Sequence, residues 1–322
     1  MNCAIITPAR PGSRHGNRNT ALRWAAHLRA LGHRATIEVA WNGREHDAMI
    51  ALHARRSHDS VLAWKQAHPS RPLALVLTGT DLYRDIRSDA GAKMSLDLAD
   101  RLVVLQEKGL DELSPRHRAK AQVIFQSVRA RKRLSPPRRN FLVTVIGHLR
   151  DEKDPFCAAR ALACLPGAGN LRIVHLGGAM SADAAREARA RMRADARYRW
   201  LGEVPHARAM QWLARSHAMV ISSRMEGGAH VVSEAISIGV PVLASGIPGN
   251  IGLLGDDYPG YFRTGSERAL ARLLAQAMHD SRLLARLERN VKSRRALVSP
   301  ESERGALRKL LAGLARNAGS GG

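Results

Sequence analysis

One alternation governs this chain and occurs twice: a short, continuous apolar run, a Gly-rich or polar loop, then a stretch with helical spacing. The first pass begins with the apolar run 3–7 and the Gly/Pro-rich loop 8–16. Leu22, Ala25, Leu28 and Leu31 follow at spacings of three. Gly32 closes that pattern, at the position past a helix end where glycine is favoured. Apolar runs recur at 35–39, 48–52, 73–77, 102–105 and 123–125, with helix-like stretches between most of them. The second pass restarts at 141–146 and continues through runs at 171–176, 198–201, 218–222 and 241–244, with helical stretches at 156–165, 182–194 and 206–215. Two further segments, 266–278 and 301–315, have helical spacing. Strands that are apolar throughout belong to parallel sheets covered by helices on both faces. The alternation therefore predicts an α/β chain of two Rossmann-like, doubly wound domains facing each other across a cleft. Ligands of such sheets bind at the carboxyl ends of the strands, which puts the site on the loops that follow them.

The length of 322 residues also fits two domains at ~100–200 residues each. The basic stretch 129–139 (RARKRLSPPRR) interrupts the alternation and reads as a linker. Expected boundaries are 1–135, 136–300, and a C-terminal helix and tail at 301–322. No run approaches the ~18 apolar residues of a membrane span, and residues 1–10 read as a buried strand rather than a leader. Three cysteines, Cys3, Cys157 and Cys164, have no metal-ligand spacing and fit free buried thiols in a reducing cytoplasm. The net charge of +23 raises nucleic-acid binding as one reading. However, only 8 of the 51 basic residues are Lys, the arginines are dispersed, and no nucleic-acid motif accompanies them. A solvated basic surface, or arginines that bind an anionic small molecule, explains the surplus better.

The most specific segment is 222–246, SSRMEGGAHVVSEAISIGVPVLASG. Gly227 and Gly228 have no side chain to block a ligand, so backbone N–H groups at the start of a helix near Ala229 can face phosphate oxygens. Glu226 and Glu234 are eight residues apart, about two helical turns, and each can offer a carboxylate to a pair of ribose hydroxyls. Gly147 permits a turn after the first strand of the second half and places Arg150 and Lys153 where they can neutralise a diphosphate. In the first half, the loop with Gly12, Arg14, His15 and Gly16 is neither a dinucleotide fingerprint nor a Walker A loop, but its cations suit an anion. His53 and Arg55 follow one strand, and Thr80 and Asp81 follow another. There is no Asp-x-Asp, G-x-S-x-G, H-E-x-x-H or C-x-x-C, which favours chemistry without metal or cofactor.

Glu226-x7-Glu234, the following Gly239-Val240-Pro241-Val242 and the Gly147-to-Lys153 element together resemble the GT-B glycosyltransferases of the group 4, glycogen-synthase-like family. The resemblance covers essentially the whole chain. It implies an acceptor domain at 1–135 and a nucleotide-sugar domain at 136–300. Lys153, with Arg150, would hold the nucleotide diphosphate, Glu226 the sugar and Glu234 the ribose. The family's arginine in this element is replaced by His148, and the histidine usual in another cleft loop is Thr78. Within the family, the segments PGSRHGNRNTALRWA, ALHARRS and LTGTDLYRDI resemble the selenosugar synthases of selenoneine formation. That likeness implies a UDP-sugar (UDP-GlcNAc or UDP-glucose) and selenophosphate as substrates, with UDP and phosphate released. It assigns catalytic roles to Glu226, Arg150, Lys153 and His15. Donor binding falls to Gly12, Gly16, Gly147, Arg150, Lys153, Glu226, Gly227, Gly228 and Glu234. Acceptor binding falls to Arg14, His15, His53, Arg55, Thr80 and Asp81. An ordinary glycosyltransferase with a hydroxyl acceptor, and a non-enzymatic nucleic-acid-binding protein, are the other readings.

Overall fold

The computed structural model describes residues 1–13 and 16–319. The chain forms two units, Met1–Ser127 with Pro300 onward, and Val128–Ser299.

The first unit is a parallel sheet of β1 (Asn2–Ile6), β2 (Arg34–Glu38), β3 (Ala48–Leu52), β4 (Leu73–Leu77), β5 (Arg101–Val104) and β6 (Ala121–Val123), in the order β2-β1-β3-β4-β5-β6. Successive side chains of a strand face opposite sides, and both sides are covered. Cys3, Ile5 and Ile50 pack with Trp24 and Leu28 of the Gly16–Ala30 helix on one face. Ile6, Met49 and Leu75 pack with Val61 and Trp64 of the His58–Ala67 helix on the other. Two covered faces are why β3 and β4 are buried at every position.

The second unit repeats the design with β7 (Phe141–Ile146), β8 (Leu171–Leu176), β9 (Tyr198–Trp200), β10 (Ala218–Ile221), β11 (Val242–Ser245) and β12 (Tyr261–Phe262). All are parallel, in the order β12-β11-β10-β7-β8-β9. Counted from its own first strand this is the dinucleotide-fold order 3-2-1-4-5-6, which reverses between β7 and β10. The crevice outside the carboxyl ends of those two strands is where such a sheet binds ligands.

The first unit ends at Ser127 rather than at 135, and from Pro300 the chain returns to the first unit. The Val128 N–H donates to Val298 O at 3.0 Å and the Leu134 N–H to Ala214 O at 3.0 Å, so residues 128–135 are fastened to the second unit rather than forming a free linker. The C-terminal helix is no separate tail. Its Leu307, Leu310, Leu311 and Leu314 are buried in the core of the first unit. Cys3 and Cys157 are buried as expected, whereas Cys164 is exposed. Among the described residues no helix is long and apolar enough to cross a membrane.

Candidate active site

The loops after β7 and β10 are tied to each other by short polar contacts. The Ser222 hydroxyl donates to the carbonyls of Asp154, at 2.9 Å, and Lys153, at 3.2 Å. The Arg224 N–H donates to Glu152 O at 2.8 Å. These bonds bring Lys153 to Glu226, where its Nζ meets Oε1 of the carboxylate. The Ser223 hydroxyl donates to the same oxygen at 2.6 Å. A hollow at this point is lined by Gly147, His148, Lys153, His175, Ser222 and Ser223. Arg150 is not among the lining residues; it is exposed and in no ion pair among the described residues.

The turn after β7 works differently from the sequence reading. The left-handed residue is Asp154, at φ 41°, and Gly147 does not take a positive φ. The close approach is instead made by Gly177, at φ 152°: a Cβ there would lie 1.9 Å from Gly147 O. His175 supports the same turn from below. It is fully buried, and burial lowers its pKa to about 4, so the ring is neutral. Nε2–H donates to Gly147 O at 3.1 Å, and Nδ1 accepts from the Tyr198 hydroxyl at 2.8 Å.

Glu226 and Glu234 also differ from the two-turn picture. The helix begins at His230, after the extended Ala229, so only Glu234 is helical. Gly227 and Gly228 lie in the loop ahead of it, and Glu226 is held from behind by the next element. A Cβ on Gly249 would come 1.9 Å from Glu226 O, so glycine alone admits this packing. The Ser245 hydroxyl donates to Ser223 O at 2.6 Å, and Asn250 Nδ2 to Ser245 O at 3.0 Å. Glu234 is buried, with Oε1 facing His206 Nε2 at 2.5 Å and His230 Nδ1 at 3.4 Å. Burial by itself raises its pKa; the hydrogen bonds and charges of the two histidines outweigh this and hold it at about 2. Ser223, Gly249, Asn250, His175 and His206 were not singled out from sequence. The partners of His175, His206 and Gly249 are more than 20 residues away along the chain, whereas Ser223 lies three residues before Glu226, Asn250 five after Ser245, and His230 four before Glu234.

In the first unit the structure brings together the ends of β3 and β4. Asp81 is wholly buried and accepts from the N–H groups of Thr78 at 2.9 Å, Gly79 at 2.8 Å and Ala54 at 3.0 Å. His53 is buried at φ 78°. Its Nε2 meets Thr80 Oγ1 at 3.1 Å, and its Nδ1 accepts from the Arg56 N–H at 3.3 Å. Burial holds its pKa below the usual histidine value, against the charge of Asp81. Arg55 is exposed and faces Asp89 at 3.3 Å and Asp85 at 3.9 Å. Gly12 is exposed at φ 78°, and Gly16 opens a helix. Both belong to the first unit, whereas the other candidate donor residues are in the second. Arg14 and His15 lie outside the described residues. Arg18 Nη1 is enclosed without a hydrogen-bond partner among the described residues. Among those residues, no three His, Cys, Asp or Glu side chains are grouped to hold a metal ion.

Two parallel doubly wound sheets, with a basic and acidic pair at the switch point of the second, define a two-domain α/β protein whose candidate ligand site lies on the loops after the strands. The family model described as glycosyl transferases group 1 matches residues 127–294, more than half of the chain. The chain belongs to that family. It is 24% identical over 310 residues to glycosyltransferase 1 domain-containing protein 1 of Xenopus tropicalis, covering 86% of this chain and 88% of the relative. Its fold is GT-B. It is similar to HepE of Anabaena solved with UDP, at TM-score 0.78 and 16% identity, covering 97% of this chain and 100% of that one. HepE solved with UDP-glucose has a TM-score of 0.77 at 16% identity, covering 97% and 99%. Sucrose-phosphate synthase of Thermosynechococcus elongatus has a TM-score of 0.78 at 15% identity, covering 98% and 99%.

Proposed function

We propose that this group 1 glycosyltransferase takes a UDP-sugar on its second unit and transfers the sugar to the selenium of selenophosphate. The observation that carries the donor half is the Lys153–Glu226–Ser223 contact at the switch point of the second sheet, with Glu234 one element away. Lys153 and Arg150 would receive the diphosphate, Glu226 the sugar and Glu234 the ribose. The UDP and UDP-glucose complexes of HepE, which shares the fold, support the same donor class. The diphosphate charge falls to protein cations, so dialysis against EDTA is expected to leave turnover intact.

The acceptor half rests on the three segments named above and on the state of the first unit. A sugar hydroxyl needs a general base, a group with a lone pair free to take a proton. His53 has both ring nitrogens occupied, and Asp81 is spent on three backbone N–H groups. Selenophosphate needs no deprotonation but does need cations, for which Arg18 and Arg56 are the candidates, with Arg55 and Arg84 to be drawn from Asp85 and Asp89. In the reaction, a selenium lone pair attacks the anomeric carbon, and the C–O bond to UDP breaks with its electron pair leaving on UDP. Water then takes the phosphoryl group from selenium, giving the selenol sugar and phosphate.

The test is anaerobic incubation with UDP-GlcNAc or UDP-glucose and selenophosphate, read by mass spectrometry. The expected result is a selenium-containing sugar with equal amounts of UDP and phosphate. Glycosylation of a hydroxyl acceptor with no selenium product would remove the selenium chemistry and leave a group 1 glycosyltransferase.

A further inference from the structure

Glu234 is flanked by two histidines from two different elements. His206 is the first residue of the His206–Ala214 helix, and His230 opens the helix that carries Glu234 itself. Both rings meet the same oxygen, Oε1, at 2.5 and 3.4 Å. Among the described residues Oε2 has no hydrogen-bond partner, and it is not among the sealed, unpartnered side-chain atoms. The carboxylate is therefore split: one oxygen is fixed by the protein, and the other is offered outward. A buried carboxylate on a long side chain has several rotamers, and holding one end selects among them. His206 suits this holding role. It is largely exposed, at 64% of its side-chain surface, and touches the buried carboxylate with its tip. The bond is charge-assisted, so it is among the stronger kinds available to a side chain.

We propose that His206 and His230 are positioning residues that fix Glu234 Oε1 so that Oε2 meets a ribose hydroxyl of the donor nucleotide. This rests on the donor reading above, in which Glu234 binds the ribose. The histidines touch the carboxylate, and in this proposal their effect travels through Glu234. A second consequence follows: the carboxylate meets the ribose through one oxygen rather than both. Preorganisation of this kind matters for ligands that use the oriented group and not for ligands that lack its partner.

The experiment compares UDP with 2′,3′-dideoxy-UDP, which keeps the base and diphosphate and lacks the two hydroxyls. Binding is measured by calorimetry for the wild-type chain, His206→Gln, and His206→Gln/His230→Gln. Wild type is expected to prefer UDP over the dideoxy analogue by at least about tenfold, the discrimination of one good polar contact. Both variants are expected to lose most of that preference by binding UDP more weakly, with affinity for the dideoxy analogue unchanged. His206→Lys, which keeps a donor near Oε1, should recover part of it. A wild-type preference that persists undiminished in the double variant would overturn the proposal and leave the donor reading standing. Equal binding of the two nucleotides by wild type would remove the ribose role of Glu234 and this proposal with it. No binding of UDP at all would overturn the donor reading itself. A variant that weakened both nucleotides alike would mark the histidines as structural.

Discussion

Lys153 has two partners in the chemistry argued above: it faces Glu226 in the structure, and the diphosphate of the donor would claim it. The pair is partly open to water, with 23% of the lysine and 12% of the glutamate side chain exposed. Pairs of this exposure contribute about 1 kcal/mol or less to stability. A cation beside a leaving group whose charge grows in the transition state contributes more, roughly a hundredfold or more in rate. Lys153→Met is therefore expected to lower kcat about a hundredfold while the melting temperature moves by only a few degrees, roughly what 1 kcal/mol produces in a chain of this size. Steady-state assay and a thermal melt decide it: near-normal turnover with a large loss of melting temperature would make the pair a purely structural contact. At this scale the sequence was informative where a residue's role depends on neighbours in its own motif. Lys153, Glu226 and Glu234 were singled out by the motifs they stand in, and the structure brings Lys153 to Glu226. Ser223 could not, because what gives it a role is the loop it shares with Glu226 and a hydroxyl at Ser245. His206 could not either, since its partner is 28 residues away.

At the scale of elements, the site depends on how closely two backbones approach. The Pro248–Leu254 helix packs onto the loop that carries Glu226, and Gly249 is the point of contact. A methyl group there would need the Glu226 carbonyl to move, and overpacking of this kind costs about 1–3 kcal/mol. Gly249→Ala is expected to lower the melting temperature and also to weaken UDP binding, because the displaced backbone is that of Glu226. Gly246→Ala is the matched control: its Cβ would sit 3.6 Å from Phe262 O, an ordinary contact, and should change neither quantity. Calorimetry with UDP on both variants checks the pairing; a Gly249→Ala chain with unaltered UDP affinity would separate this helix from the site. The strands were legible because a sheet covered on both faces demands apolar runs, unbroken in β3 and β4 and interrupted only by Thr144 in β7 and by Arg172 and His175 in β8. β12 was not, since two residues carry no period. The π-helical turn at Asp81–Asp85 was also hidden, because Asp81 binds the N–H groups of two strand ends that only the folded sheet brings together.

At the scale of the whole molecule, the chain leaves the first unit at Ser127 and returns to it at Pro300, and one carboxylate secures the return. Glu303 is buried in the first unit. It accepts from Arg23 Nε at 2.8 Å, from Trp24 Nε1 at 2.7 Å, and from both the N–H, at 3.0 Å, and the hydroxyl of Ser127. His27 lies 3.2 Å away. None of this was legible in sequence, where Glu303 is one of two acidic residues in a basic helix and its partners are 176 to 280 residues away. Burial alone raises the Glu303 pKa, but the bond from His27, the charge of Arg23 and the bonds from Arg23 and Ser127 outweigh it and bring it to about 2. An unfolded glutamate titrates near ~4.3. As the pH falls the unfolded chain takes up this proton first, so the stabilisation is fully present above ~4.3 and is lost as the pH falls through about 2. The size of the shift corresponds to roughly 3 kcal/mol. Glu303→Gln keeps the shape, removes the charge and leaves Arg23 without its buried partner, a change of about 3 kcal/mol or more at pH 7. The gap between wild type and variant should therefore be wide at pH 7 and narrow steadily from pH 5 to pH 2. Equilibrium denaturation across that range measures the gap, and hydrogen exchange in the Gly16–Ala30 helix locates it in the first unit. A gap that stayed constant with pH would show that the helix is held by Leu307, Leu310, Leu311 and Leu314 alone, with the carboxylate contributing shape and no charge.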